Sequence, residues 1–171
     1  MKKQIVYVKL IPRLFASMID LFILALLASP LLNMIAPYIF MWVYKPYFRD
    51  YKINHITQHD IITLWVNTPE FLPYVSLSSQ LTNVALMMTA TYLVFGIYFV
   101  SFWFYYQASI GKLIMRMKIV NSENLTSITL NQIIKRFLGY LFFIIGIWQV
   151  SFSKNRQALH DKIAHTVVIK S

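Results

Sequence analysis

The feature that most constrains this chain is a run of 41 residues, Phe71 to Gly111, that contains no charged side chain. A second run of 31 residues, Leu14 to Tyr44, contains one charge, Asp20, and a third run, Phe137 to Ser153, has none in 17 residues. A helix crosses the ~30 Å hydrocarbon core of a bilayer with about 20 apolar residues, within a range of ~17–25. Two of these runs are therefore long enough to span a membrane, and the third is at the lower limit.

Composition agrees with a membrane protein, because charged residues make up only 13% of the chain against roughly 25% in soluble proteins. The net charge of +10 does not require a nucleic-acid partner, since the bases flank the hydrophobic runs as topology signals do. The expected partner is the lipid bilayer. The predicted fold class is an all-α integral membrane protein with two firm transmembrane helices and a third short hydrophobic helix, spanning or re-entrant. Small cytoplasmic elements, including a short strand pair, complete it.

A single membrane domain over residues 1–171 is expected. Pro30 or Pro37 is expected to kink or end the first helix. Thr57 to Asp60, followed by apolar residues, predicts a short capped helix within the outer connection. The predicted segments are helix 1 at about 13–37, an outer loop at about 45–80, helix 2 at about 81–106, the third hydrophobic segment at about 134–153 and a polar tail at 154–171.

The distribution of Lys and Arg predicts the orientation. Residues 1–13 carry four bases and no acid, residues 108–136 carry five bases and one acid, and the 45–80 loop carries three of each. The positive-inside rule places the first two segments in the cytoplasm and the loop outside. A spanning third segment would put the basic tail outside, against that rule, whereas a re-entrant one would leave it inside. Both arrangements stay open. A cleaved signal peptide is not expected, because Asp20 lies within the first apolar run.

Arg13, Ser17 and Asp20 form a polar stripe, because offsets of four and seven residues fall on one helical face. A charge at the bilayer centre costs ~2.5–3.5 kcal/mol on insertion scales, and such residues often mark ion or proton routes. Asp20 is therefore a candidate cation- or proton-binding carboxylate, with Arg13 and Ser17 as its orienting partners. The alternative is that Asp20 is a folding clasp, satisfied by cations from other helices.

The chain resembles the RDD family of membrane proteins, because its residues Arg13, Asp20 and Asp161 match the Arg-Asp-Asp signature of that family. Residues 109–112 with 117–120 are similar to that family's segment after the second helix, and residues 147–168 are similar to its C-terminal end. The resemblance implies a multi-pass protein of the bacterial inner membrane with a cytoplasmic N-terminus, and transport has been proposed for some members. It adds a cytoplasmic-side signature, namely Gly111, Lys112, His160 and Asp161.

The chain departs from the family at two positions. The family often has glycine where this chain has Arg116, and often glycine before the threonine where this chain has His165. These replacements argue against the tight backbone conformation that is usual there.

Asp161 is expected to accept hydrogen bonds or to pair with a cytoplasmic base such as Lys112 or Arg156. If both segments are cytoplasmic, Met117–Val120 and Thr166–Ile169 are expected to pair as short strands and bring Asp161 near the end of helix 2. Three donors in the tail do not converge on a tetrahedral metal site, and the outer loop has two histidines without further ligands. No metal, cofactor or catalytic constellation is predicted, so the protein is not expected to be an enzyme. The histidine-containing candidates are His160, Asp161 and His165 in the tail, and His55 and His59 in the loop.

The predicted function is ion or small-solute transport, with Asp20 as the intramembrane carboxylate and a monovalent cation as its candidate ligand. Two or three spans do not enclose a wet pathway by themselves, so transport implies a homo-oligomer or other membrane subunits. The alternative is a non-transporting membrane scaffold or assembly subunit. In that case Arg13, Asp20 and Asp161 would only lock the helices together.

Overall fold

The computed structural model describes residues 6–142, 146 and 148–171. Most of these residues are helical, and one small sheet accompanies the helices. The helices are α1 (Leu10–Val43), α2 (Lys45–Asp50), α3 (Gln58–Asn67), α4 (Leu77–Tyr106), α5 (Ile110–Ile114), α6 (Leu130–Gly139), α7 (Gln149–Phe152) and α8 (Leu159–Ile163), the 3₁₀ turns are Pro69–Tyr74 and Tyr140–Phe142, and the strands are β1 (Met117–Asn121) and β2 (Thr166–Lys170).

The helices α1 and α4 are the two candidate membrane spans among the described residues. They contain 34 and 30 residues, so at 1.5 Å per residue each is longer than the ~30 Å hydrocarbon core. Only 22% and 17% of their most apolar windows are buried, whereas a core helix of a soluble protein is mostly buried. These outward-facing apolar surfaces confirm the predicted fold class of a helical membrane protein.

The first helix continues through both of its interior prolines, Pro30 and Pro37. Of the two expected effects, kinking or ending the helix, the structure therefore contradicts the ending. Proline in a helix interior removes a hydrogen bond, but membrane helices tolerate it where neighbouring groups satisfy the freed carbonyl. The helix also begins three residues before, and ends six residues after, the predicted bounds of 13–37.

The third hydrophobic segment, 134–153, lies partly outside the described residues, at 143–145 and 147. Its described part does not form one long helix, because α6 ends at Gly139 and α7 contains only four residues. A Cβ atom on Gly139 would lie 2.9 Å from the Cα of His160, and one on Gly146 would lie 2.6 Å from the Cβ of Leu159. The two glycines thus allow this segment to pack closely against α8, as small residues do in membrane helices.

The chain divides into two compact units, one of Met1–Leu24 with Gly96–Ser171 and the other of Ala25–Phe95. The second unit has an aromatic core in which Phe71 is fully buried. Within this unit the predicted capped helix is confirmed: Thr57 and Asp60 form a capping box at the start of α3. The core consists of Phe40, Tyr44, Tyr47, Phe48, Ile56, Leu64 and Phe71.

The first unit contains the sheet. The strands β1 and β2 are antiparallel and pair Met117 with Lys170 through to Asn121 with Thr166, which confirms the predicted strand pair. On the other side of β2, the backbone of Tyr7 bridges to Ile169. The chain before α1 therefore bridges to the edge of a two-stranded sheet that the chain after α5 and the C-terminal strand form.

Both strands begin after a residue in the left-handed region of backbone space. Arg116 has φ 52° and His165 has φ 51°. The expectation that these residues replace a tight backbone is wrong, because the conformation is kept at a cost of roughly 1–2 kcal/mol per non-glycine residue. Hydrogen bonds hold both turns: the amide of Ser171 donates to the Arg116 carbonyl at 2.8 Å, and that of Ser122 donates to the His165 carbonyl at 3.0 Å.

Candidate functional site

The centre of the first unit is a buried carboxylate, Asp161, held between two arginines. Asp161 and Arg136 are fully buried and Arg13 is 4% exposed. Nη1 of Arg13 lies 2.5 Å from Oδ2 of Asp161, and Nη1 of Arg136 lies 2.5 Å from Oδ1. The amide of Ala158 donates to Oδ2 at 3.0 Å. This carboxylate therefore joins three segments that are far apart in sequence: α1, α6 and the start of α8.

The two arginines that pair with Asp161 also contact the region of the sheet and α4. Nε of Arg13 donates to the carbonyl of Val8 at 3.2 Å, next to Tyr7, whose backbone bridges to β2. Nη1 of Arg136 donates to Oγ1 of Thr166, the first residue of β2, at 2.6 Å. The guanidinium carbon of Arg136 also lies 5.3 Å from the centre of the Trp103 ring, which is a cation–π distance.

The structure assigns the arginines differently from the sequence expectation. Arg13 pairs with Asp161 rather than orienting Asp20. Asp161 accepts a hydrogen bond and pairs with bases, as expected, but the bases are Arg13 and Arg136 rather than Lys112 or Arg156. Seven residues of helix separate Arg13 from Asp20 by roughly 10 Å, and the Arg13 side chain instead reaches a partner beside the sheet. The guanidinium of Arg156 donates to a backbone carbonyl, that of Ser151.

Asp20 is held by uncharged donors, and it is 2% exposed. The Tyr98 hydroxyl donates to Oδ1 at 2.9 Å, and the Gly111 amide donates to the same oxygen at 2.8 Å. The Ser109 hydroxyl donates to Oδ2 at 2.5 Å. Within the described residues no hydrogen bond joins Ser17 to Asp20; Ser17 lines a nearby cavity. Asp20 thus ties α1 to α4 and to the start of α5.

Gly111 is required at its position because α5 begins directly against α1. A Cβ atom on Gly111 would overlap the backbone carbonyl oxygen of Ala16 and would lie 3.0 Å from Cγ of Asp20. Only a residue without a side chain lets the amide of residue 111 approach the carboxylate at this distance. This is a physical role for the glycine of the predicted signature.

The ammonium of Lys112 is buried beside the Asp20 site. Its side chain is 4% exposed, and Nζ donates to the hydroxyls of Ser109 at 3.3 Å and Tyr140 at 3.5 Å. Because Ser109 donates in turn to Asp20, the lysine and that carboxylate interact through one hydroxyl. The structure therefore brings all the predicted signature residues, Gly111, Lys112, His160 and Asp161, into the same unit.

A small cavity of about 10 Å³ lies between these groups, lined mainly by Arg13, Ser17, Lys112, Arg136, Tyr140 and His160. A volume of ~10–15 Å³ accommodates about one water.

The neighbouring side chains of His160 and Asp161 both have shifted pKa values. Burial lowers the pKa of His160 to about 3, although the neighbouring Asp161 acts in the opposite direction. Burial acts to raise the pKa of Asp161, but the charges of Arg136 and Arg13 outweigh it and hold that pKa well below its usual range. At neutral pH Asp161 is therefore ionised, and His160 is uncharged.

Acidification is expected to destabilise the protein through His160. The folded pKa of about 3 lies below the unfolded value of ~6.5, so between these pH values the unfolded chain binds the extra proton. The free energy of unfolding should fall by up to about 1.4 kcal/mol for each pH unit below ~6.5. Unfolding in detergent between pH 7 and pH 5 measures this slope. His160→Gln should flatten it, whereas His59→Gln, at an exposed position, should leave it unchanged. Equal stability of the wild type at pH 7 and pH 5 would contradict the prediction.

Sequence reasoning did not identify several residues that surround Asp20 and Asp161. Arg136 could have been found, because it directly precedes a hydrophobic run, as Arg13 does, and shares a buried helical face with Ile133 and Gly139. Tyr98 and Trp103 carry no such signal within a long aromatic run.

These features define a helical membrane-type protein in which a small sheet and buried Arg–Asp contacts join the ends of two long apolar helices. A sequence model of the RDD family matches residues 7–165, and the chain belongs to this family. It is also similar to a protein of Rickettsia prowazekii (strain Madrid E) that is described as uncharacterised, with 39% identity over 176 residues that cover 100% of each chain. No solved structure matches the chain.

Proposed function

We propose that this protein moves small ions or solutes across the bacterial inner membrane. The observation that supports this is the buried cluster, in which Arg13, Lys112 and Arg136 accompany Asp20 and Asp161 beside a small cavity. Charges removed from water are costly, and in membrane proteins they concentrate where ions or substrates bind. A clasp that only joined helices would be cheaper as balanced pairs or apolar contacts.

The sheet supports a topology with both ends of the chain on one side of the bilayer. Because the segment before α1, the strand after α5 and the C-terminal strand share backbone hydrogen bonds, they belong on the same side. The bases of residues 1–13 and 108–136 support the cytoplasm as that side. In this arrangement the third hydrophobic segment enters the membrane region without crossing it.

Transport by this protein requires more than one copy or other membrane subunits. The two long helices leave most of their apolar surface exposed, and two helices alone do not surround a polar route. A homo-oligomer is the simplest assembly, since membrane helices associate through packing of such surfaces.

The scaffold alternative is favoured by a specific observation at the carboxylates. Asp20 accepts hydrogen bonds from three donors, and Asp161 contacts two arginines and a backbone amide. Both side chains are thus engaged in holding segments together. The same donors surround Asp20 in a way that disfavours a cation as its direct ligand, because a cation needs free oxygen lone pairs.

Ion flux into liposomes tests the proposal. Purified protein is reconstituted with dyes sensitive to pH, sodium and chloride, and the wild type is compared with Asp20→Asn. Asparagine replaces one acceptor oxygen of Asp20 by a donor amide, which disturbs the contacts that hold Ser109 and Lys112 in place. Flux should therefore fall at least tenfold, which equals about 1.4 kcal/mol in the barrier. Asp50→Asn, at an exposed aspartate, is the matched control and should keep the wild-type flux.

The result that would overturn transport is wild-type flux no greater than that of protein-free liposomes for all three readouts. If Asp20→Asn then also unfolds more readily than the wild type, the scaffold function is supported. Sedimentation or mass measurement in lipid particles checks the assembly, and a monomer that transports would contradict the oligomer.

A further inference from the structure

We propose that the cavity beside Arg13, Lys112 and Arg136 binds a small monovalent anion such as chloride. This inference deepens the proposed function by naming the class of ion. The claim that the anion is transported rests on the proposed function. The claim that it binds rests only on the geometry of the buried charged residues.

The charge balance of the cluster is the first support. Among the residues that the structure describes, the buried charged groups other than the neutral histidine are three cations, Arg13, Lys112 and Arg136, and two carboxylates, Asp20 and Asp161. One positive charge is left in excess. An uncompensated charge taken out of water costs several kcal/mol in a protein interior. One monovalent anion would balance the cluster.

Hydrogen-bond donors without an acceptor are the second support. Within the described part of the chain, Nη2 of Arg13 and both Nε and Nη2 of Arg136 are buried and have no hydrogen-bond acceptor. The Trp103 ring attracts the Arg136 cation but supplies no lone pair to these N–H groups. Buried donors are nearly always satisfied in folded proteins. A ligand with lone pairs in several directions meets this requirement.

Lys112 gives the third support. Its ammonium contacts two hydroxyl oxygens, those of Ser109 and Tyr140, at 3.3 Å and 3.5 Å. No salt bridge to Lys112 is found among residues 6–142, 146 and 148–171. A buried ammonium with only neutral partners has no opposite charge to offset its desolvation cost, and a bound anion would supply one.

The size of the cavity restricts the ligand. Its volume of about 10 Å³ accommodates about one water-sized particle. A phosphate, sulfate or carboxylate group does not fit without a large rearrangement, and a cation would meet three positive side chains. Water fits, but it carries no charge and leaves the excess uncompensated. A halide ion accepts several hydrogen bonds and supplies the missing negative charge.

Chloride binding to the full chain in detergent tests the site. Thermal unfolding is measured in sodium chloride, sodium bromide and sodium methanesulfonate at equal ionic strength, and the ³⁵Cl linewidth reports binding directly. The wild type should show a saturable rise in Tm with chloride or bromide, and broadening of the chloride resonance. Lys112→Gln should weaken chloride binding at least tenfold, because it removes one of the cavity's positive charges. Lys118→Gln, at an exposed position on β1, is the matched control and should bind as the wild type does.

Two results would overturn the site. One is the same Tm in chloride and methanesulfonate with no broadening, which would mean that the cavity holds water only. The other is wild-type chloride affinity in Lys112→Gln. If that variant does not fold, the anomalous signal of bromide in wild-type crystals decides: a peak at the cavity supports the site, and bromide peaks only elsewhere overturn it. Chloride binding without chloride flux in liposomes keeps the site and overturns its role as cargo.

Discussion

Replacing Asp161 by asparagine is expected to lower the free energy of unfolding by about 3–5 kcal/mol, which is the range for removing one partner of a buried ion pair. The substitution leaves the guanidinium groups of Arg13 and Arg136 buried without their counter-ion. It also weakens the link between α1, α6 and α8, because all three meet at this side chain. Unfolding in mixed micelles, followed by the fluorescence of Trp103 and the other tryptophans, measures the change.

The control for this prediction is Asp50→Asn. Asp50 forms an ion pair with Arg49 at 3.4 Å, but the two side chains are 44% and 76% exposed, and exposed pairs contribute ~0–1 kcal/mol. A double-mutant cycle with Arg13→Gln separates the pair from its surroundings. The losses of the single variants should not add, because the second change removes a charge that the first one left unpaired. Additive losses, or an Asp161→Asn variant as stable as Asp50→Asn, would contradict the role of Asp161 in holding α1, α6 and α8 together.

The long-range contacts of this cluster show what sequence reasoning reaches and where it stops. Length and hydropathy were sufficient to predict α1 and α4, since a bilayer sets the length of a helix that crosses it. The strand pair was predictable from two short β-prone stretches, one after helix 2 and one in the C-terminal tail. The partner of Arg13 was not, because helical spacing identifies neighbours on one helix, whereas Asp161 lies 148 positions away.

The environment of Asp20 was predicted only in part. A buried carboxylate in an apolar helix requires compensation, and this requirement correctly indicated a buried, partnered side chain. It does not say whether the partners are cations or neutral donors. In the structure the donors to Asp20 are a tyrosine hydroxyl, a serine hydroxyl and a backbone amide. A backbone amide cannot be predicted as a donor from the types of side chain in a sequence. Because neutral donors hold Asp20, Arg13 pairs with Asp161 instead and lies beside the cavity of the proposed anion site.

Replacing Gly111 by alanine is expected to destabilise the protein by more than about 3 kcal/mol, above the usual ~1–3 kcal/mol of overpacking. The added Cβ would overlap the carbonyl oxygen of Ala16, and this oxygen belongs to the backbone of α1 and cannot rotate away. The start of α5 must therefore shift. That shift removes the 2.8 Å hydrogen bond from the residue 111 amide to Asp20 and moves Ser109 and Lys112 away from the cluster. Thermal unfolding in detergent measures the loss.

Gly96→Ala is the matched control, because it adds the same methyl group to another glycine of the first unit. There the new Cβ would lie 3.0 Å from Cε1 and Cζ of Phe137, the far end of a side chain that can turn. Its cost should stay within the ordinary overpacking range of ~1–3 kcal/mol. The comparison separates a close backbone approach from simple crowding. If Gly111→Ala proves as stable as Gly96→Ala, then α5 does not approach α1 as closely as described, and the geometry that positions Asp20, Ser109 and Lys112 is wrong.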